Sequence, residues 1–392
     1  MAAVVLTRVV VGALLAVLVG CGAAPEPPPS FAPPRWSEQD RSELPAELAS
    51  LYVRAAIGWD GGLLVAGDYP EPALFSSPDG RKWTEQAPEG FGDHLRGQPF
   101  AAYGSTAYVL GGAAGEVAVW RTEDGTTWQR TPLPYGDLDD PFMAIAAGPH
   151  GVLVVGSDGF DYAAGLEAEH TPEDFFGFEF WHSADGEEFR YAGDLTLART
   201  VIGITPRVVA TDDGFLLHDS GAYGVDVFRE DTPLYRSTDG ESWQYVGDGL
   251  PIGTRLAVGR AGSLTFVLGQ SPSGLYARYR RDGDSGWSDG AIDLGRLPDD
   301  AVVPATGQWP TAVHPWGTGF IAIGRTERGE AGLVWSSPDG ITWTRSPVRG
   351  SGFDRLAELV AVASSRGETL LFGLEGFPPD VRVHLWRAGP SG

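Results

Sequence analysis

Ser77-Pro78-Asp79-Gly80-Arg81-Lys82-Trp83 is followed along the chain by four near-copies: TEDGTTW from Thr122 to Trp128, SADGEEF from Ser183 to Phe189, STDGESW from Ser237 to Trp243, and SPDGITW from Ser337 to Trp343. An Asp-Gly pair between two strand-like runs is a hairpin signal. Glycine takes a positive φ without strain, and aspartate accepts hydrogen bonds from the amides that follow it. The Ser or Thr two residues before each Asp offers a hydroxyl to the same turn. The aromatic three residues after each Gly opens the next strand, where its ring wedges between neighbouring sheets. A phrase that returns at intervals of about 45 to 60 residues predicts an all-β ring of small antiparallel sheets, a β-propeller.

Working outward from the phrase, every copy stands in the same order of four short runs bounded by Gly, Pro or Asp. The first blade reads LYVRAAIG, GGLLVAGD, PALFSS and RKWTEQ. The order returns with FAAYG, TAYVLGG, VAVWRT and TTWQRT; with FMAIAAG, GVLVVGS, FEFWHS and EEFRYAG; and with RVVAT, GFLLHDS, PLYRS and ESWQYVG. A fifth blade is worn, because its RDGDSGW from Arg281 to Trp287 keeps the tryptophan and loses the usual spacing, while the sixth (TAVHP, GFIAIGR, GLVWSS, ITWTRS) is sharp again. The seventh supplies LVAVAS, TLLFGL and VRVHLWR and no fourth run. Its partner is expected at the other end of the domain, where Arg35-Trp36-Ser37-Glu38-Gln39 resembles Lys82-Trp83-Thr84-Glu85-Gln86. The expectation is a seven-bladed propeller over residues 35–392, with four-stranded antiparallel blades and the last blade completed by an N-terminal strand. Such pairing removes two open sheet edges.

The chain has 392 residues, 42% of them hydrophobic, and 28 Lys plus Arg against 52 Asp plus Glu. A formal charge of −24 repels a phosphate backbone over most of the surface, which argues against nucleic acid as a partner. Residues 1–20 read as an export signal: Arg8, then an apolar run from Val9 to Val19, then Gly20 before Cys21. Leu18-Val19-Gly20-Cys21 resembles the bacterial lipobox, which implies a lipid on the Cys21 sulfur and a place on the extracytoplasmic face of the cell membrane. Cys21 is the only cysteine, so no intrachain disulfide forms and stability rests on packing. Residues 21–34 carry Pro25, Pro27, Pro28, Pro29, Pro33 and Pro34, the composition of a semi-rigid tether.

The repeated Ser-x-Asp-Gly-x-x-Trp resembles the Asp-box, or BNR repeat, of sialidase-like propellers, in a form with Asp and Gly adjacent. The likeness covers most of the chain from Leu51 to Gly352. It implies a structural role, at turns away from any catalytic centre, for Asp79, Gly80 and Trp83; Asp124, Gly125 and Trp128; Asp185, Gly186 and Phe189; Asp239, Gly240 and Trp243; and Asp339, Gly340 and Trp343. Calcium is disfavoured at these aspartates, since it takes six to eight converging oxygens and each box offers few. Sialidases use three arginines on a substrate carboxylate, a tyrosine paired with a glutamate, and an aspartate as acid or base. Arg54, Arg199, Arg207, Arg255, Arg260 and Arg325, with Tyr52, Tyr103, Tyr162 and Tyr223, are available, but no stretch matches the family's Arg-Ile-Pro signature and no catalytic residue carries over. Nucleophile elbows, phosphate loops and paired metal-binding histidines are absent from the sequence. No cofactor or metal is expected.

Two insertions depart from the pattern. Residues 157–178 read SDGFDYAAGLEAEHTPEDFFGF between the second and third runs of the third blade, and residues 219–232 interrupt the fourth blade at the same place. Both are expected on the rim opposite the repeated turns, side by side. Long loops in a compact domain are commonly functional. Asp158, Asp161, Tyr162, Glu173, Phe175, Tyr223 and Asp226 are the candidate ligand-binding residues there, with aromatic rings to stack on sugars or pack a partner and carboxylates for polar contacts. The expected function is an extracytoplasmic, membrane-anchored, monomeric module that binds a glycan or a protein. The alternative is an exo-acting glycoside hydrolase of sialidase-like type, built on paired rim carboxylates.

Overall fold

The computed structural model describes residues 31–392 apart from 93–96, 114–115, 135–141, 158–176, 197–205, 220–233, 252–254, 272, 295–306, 327–328, 330, 349–350, 357 and 390–392. Its strands form seven sheets arranged as the blades of a propeller. Blade one is Val53–Trp59, Gly62–Gly67, Ala73–Ser77 and Thr84–Gln86, paired antiparallel from the centre outward. Blade two is Phe100–Tyr103, Thr106–Ala113, Glu116–Thr122 and Gln129–Pro132, and blade three is Phe142–Gly148, Gly151–Ser157, Gly177–Ser183 and Arg190–Thr196. Blade four is Pro206–Thr211, Gly214–Asp219, Leu234–Ser237 and Gln244–Tyr245, and blade five is Arg255–Ala261, Leu264–Ser271, Gly274–Arg281 and Ser288–Asp289. Blade six is Gln308–Trp316, Gly319–Thr326, Gly332–Ser337 and Thr342–Arg345.

Blade seven takes Glu358–Ser365, Glu368–Glu375 and Arg382–Ala388 from the end of the chain and its outer strand, Ser37–Glu38, from the beginning. Ser37 pairs with Arg387 and Glu38 with Trp386, and the Gln39 amide donates to the Leu385 carbonyl at 2.8 Å. Side chains reinforce this seam. The two ring nitrogens of His384 meet Glu38 at 2.8 Å and Glu375 at 2.7 Å, and Arg355 adds an ion pair to Glu38. Trp36 stands where the repeat aromatics stand, 6.1 Å from the Trp316 ring of blade six.

Each blade is covered on both faces by its neighbours, which explains why strands such as Gly62–Gly67 and Gly332–Ser337 are buried at every residue. The core is a chain of interblade layers. Leu64 and Leu74 of blade one pack with Val109 and Trp120 of blade two, while Leu63, Val65 and Phe75 pack with Leu370, Phe372 and Leu385 of blade seven. Two sheets depart from the four-stranded expectation. Gly97–Gln98 lies parallel to the inner strand of blade three, and Ala291–Asp293 lies parallel to the outer strand of blade six. Both are approach segments that satisfy otherwise open edge amides of an adjacent sheet.

Candidate functional site

In an antiparallel blade the turns joining strands one to two and three to four share one end, called here the turn end, and the other connections share the opposite, mouth end. The repeated phrase forms the turn end from local chemistry. Glycine φ values of +71°, +75°, +77°, +77° and +76° at Gly80, Gly125, Gly186, Gly240 and Gly340 put all five turns in the left-handed region. In each, the Gly amide donates at 2.8 Å to the hydroxyl of Ser77, Thr122, Ser183, Ser237 or Ser337, and that hydroxyl donates in turn to the Asp carboxylate. The same carboxylate accepts the next amides, such as Thr126 at 2.8 Å and Thr127 at 2.7 Å on Asp124, or Ile341 and Thr342, both at 2.8 Å, on Asp339. These amides hold Asp79, Asp124, Asp185 and Asp239 below the usual carboxylate range.

The aromatics of the phrase reach the preceding blade. Trp83 meets Phe372 edge-on with centroids 6.0 Å apart, Trp243 stacks on Phe180 at 4.8 Å, and Trp343 lies 5.9 Å from Phe266. Trp128 and Phe189 pack into the one–two and two–three layers. Blade five, where the phrase is worn, keeps the ring, with the Trp287 indole donating to the Val246 carbonyl at 3.0 Å, and adds charge. Asp282 of its outer turn and Asp213 of blade four both bind Arg260, at 2.7 and 2.6 Å, and both also bind Arg236. Burial opposes the charge on Asp213, but the Thr211 hydroxyl and the two guanidiniums outweigh it and hold its carboxyl low.

The seven inner strands enclose a central cavity of about 390 Å³. Its wall is mostly small and apolar, with Ala55, Ala102, Ala146, Val208, Ala257 and Val362 drawn from six blades, and no carboxylate lines it among the described residues. Gln98 enters it on the extra parallel strand. Its side-chain amide donates to the carbonyls of Ile145 at 3.2 Å and Val208 at 2.8 Å and accepts from the Val208 amide at 3.2 Å, acting as a peptide group would between two inner strands. His314 lines the cavity wall, and its Nε2 is closed from solvent without a hydrogen-bond partner. Burial pushes this imidazole down to about 4, so it is neutral at pH 7.

At the mouth end Arg54 and Arg207 stand at the starts of inner strands. Arg54 is tied to Asp68 at 2.7 Å and lies 4.4 Å over the Tyr52 ring. Tyr52 donates to Glu358 at 3.2 Å, and the other oxygen of Glu358 meets Arg325, also at 3.2 Å. This Tyr–Glu–Arg group sits at the seam of blades six, seven and one, flanking the cavity. Arg260, among the arginines weighed from sequence, lies at the turn end in the blade four–five ion cluster.

Of the candidate rim residues, Asp158, Asp161, Tyr162, Glu173, Phe175, Tyr223 and Asp226 lie outside the described residues, as does Cys21. Their flanks are described. Ser157 pairs with Phe178 and His218 with Leu234, so both insertions join second to third strands at the mouth end of adjacent blades. Sequence reasoning missed Gln98, His314 and Glu358. Tyr52 and Arg54 were available as residue types, but only the ring closure brings Tyr52 to Glu358, 306 positions away.

No protein-family model matches the chain, and no curated protein matches it. Solved structures similar to it include YCF48 from Cyanidioschyzon merolae, 14% identical over 91% of this chain and 99% of that one, with a TM-score of 0.54. Trypanosoma rangeli sialidase in complex with the inhibitor DANA is 9% identical over 79% of this chain and 56% of its own, with a TM-score of 0.46. Penicillium chrysogenum alpha-L-arabinanase complexed with arabinobiose is 11% identical over 86% of this chain and 93% of its own, with a TM-score of 0.43. At such identities the likeness extends to the propeller fold alone.

Proposed function

We propose that the chain is a lipid-anchored extracytoplasmic β-propeller that binds a glycan or a protein through its mouth end, from which the insertions of blades three and four branch. The observation that carries this reading is the cavity wall: alanine and valine from six blades, with no carboxylate among the described residues to serve as acid, base or nucleophile. Arg54 and Arg325, which a carboxylate-clamping enzyme would hold open for substrate, are engaged by Asp68 and Glu358. The membrane anchor rests on the lipobox-like Leu18-Val19-Gly20-Cys21 and the proline-rich stretch after it.

The test is binding by the chain from Phe31 onward to a glycan array and, by crosslinking, to proteins of the native cell envelope. Specific capture that disappears when residues 158–176 are replaced by a short Gly-Ser loop supports the reading. Capture unchanged by that replacement removes the insertion from the site. A second reading, an exo-acting glycosidase, is favoured by one contact, the 3.2 Å hydrogen bond from Tyr52 to Glu358, since a carboxylate beside a phenol prepares it for nucleophilic attack.

A further inference from the structure

The first described residues settle where the chain leaves the propeller. Phe31 packs on blade six so closely that a Cβ added at Gly319 would fall 2.7 Å from its ring. The Trp316 indole donates to the Ala32 carbonyl at 2.9 Å. Trp316 and Gly319 face each other across the turn between the first and second strands of blade six. The chain therefore leaves from the turn end, beside the inner strands and well inside the outer edge of the disc. Ten positions separate Phe31 from Cys21.

From this, and resting on the lipid anchor proposed above, we infer that the propeller stands with its turn end toward the bilayer and its mouth end toward the aqueous phase. The argument is one of reach. Ten residues span about 31 Å as a polyproline-type leash and about 36 Å at full extension. To lay the mouth end on the membrane, the leash must first cross the sheet from inner to outer strand, about 14 Å at strand spacing, and then climb a blade of seven or eight residues, about 25 Å. That path of about 39 Å exceeds the leash even before the chain returns under the mouth. With the turn end toward the membrane the leash needs no detour. The turn end exposes charged side chains of both signs, Asp60, Glu123 and Glu187 with Arg81, Lys82 and Arg366, so it faces the headgroups across a gap set by the leash and does not insert. The mouth, with Arg54, Arg207 and the two insertions, is then the surface that meets a partner from solution.

Matched single cysteines test this on the full lipidated chain, because an acylated Cys21 leaves no other thiol. Arg81→Cys and Thr126→Cys place a dye at the turn ends of blades one and two; Glu71→Cys and Glu116→Cys place it at the mouth ends of the same blades. Each labelled protein is reconstituted on phosphatidylcholine–phosphatidylglycerol vesicles that carry a headgroup acceptor dye. Flotation with the vesicles, lost in Cys21→Ala, is scored first. With flotation intact, quenching several-fold greater at Arg81→Cys and Thr126→Cys supports the orientation. Equal quenching at both ends, or greater quenching at Glu71→Cys and Glu116→Cys, overturns the orientation and leaves the anchor standing. Flotation that is absent, or that survives Cys21→Ala, overturns the anchor and the orientation with it.

Discussion

The residues of the repeated turn are polar yet structural, and their effect on stability follows from where their hydrogen bonds go. Ser237 is 2% exposed and accepts the buried Gly240 amide, so Ser237→Ala orphans that donor and is expected to cost about 1 to 3 kcal/mol, read as a lower urea midpoint with an unchanged slope. Gly340→Ala meets two obstacles, a φ of +76° and a Phe266 ring 2.5 Å from the new methyl, and is expected to cost more than Ser237→Ala in the same assay. His314 supplies the pH dependence. Its folded pKa, about 4, lies below the ordinary histidine value of about 6.5, so the unfolded chain binds the extra proton between those limits. Stability is therefore full above pH 6.5 and falls as pH drops toward 4, by no more than about 3 kcal/mol from this group. His314→Gln is expected to flatten that window when urea midpoints at pH 7 and pH 4.5 are compared. The turn residues were legible in the sequence because their bonds are local, within three positions along the chain. Gln98 and His314 were not: each acquires its surroundings from inner strands far away in sequence, and nothing in the neighbouring residues announces it.

Blades were legible as elements wherever an apolar run ends in Gly or Asp-Gly, since a strand buried on both faces has no polar side to interrupt it. The two extra strands escaped notice because two- and three-residue parallel pairings carry no side-chain period. Blade five shows how an element survives the loss of its turn phrase. Arg260, with its side chain 4% exposed between Asp213 and Asp282, joins that blade to blade four. Arg260→Ala leaves Asp213 and Asp282 sharing Arg236 alone and is expected to cost about 1 to 3 kcal/mol, with Asp282→Asn recovering part of the loss. The closing strand makes a stronger demand. Deleting residues 31–39 removes the pairing of Ser37 and Glu38 and the packing of Trp36, exposing the edge of Arg382–Ala388. Its melting midpoint is expected to fall by roughly 5 to 10 °C relative to a chain starting at Phe31, with aggregation on heating from the bared edge.

For the whole molecule, the ring and its manner of closure were readable because a propeller repeats one unit and must hide its ends. The site was only half readable. The insertions advertise themselves by length, and their flanking strand ends lie at the mouth ends of adjacent blades, while the cavity depends on which side chains seven inner strands turn toward one axis. That wall is mostly small and apolar, its polar groups are basic or neutral, and no carboxylate lines it among the described residues, which is the basis for reading the propeller as a binding scaffold. The most direct measurement is turnover of a panel of chromogenic aryl glycosides, sialosides and arabinosides included, by the full chain and by Tyr52→Phe and Glu358→Gln. A scaffold releases no aglycone above the buffer rate and gives the same trace for all three proteins. Saturable release that falls by orders of magnitude in Glu358→Gln would contradict the scaffold reading and make the seam between blades six, seven and one an active site.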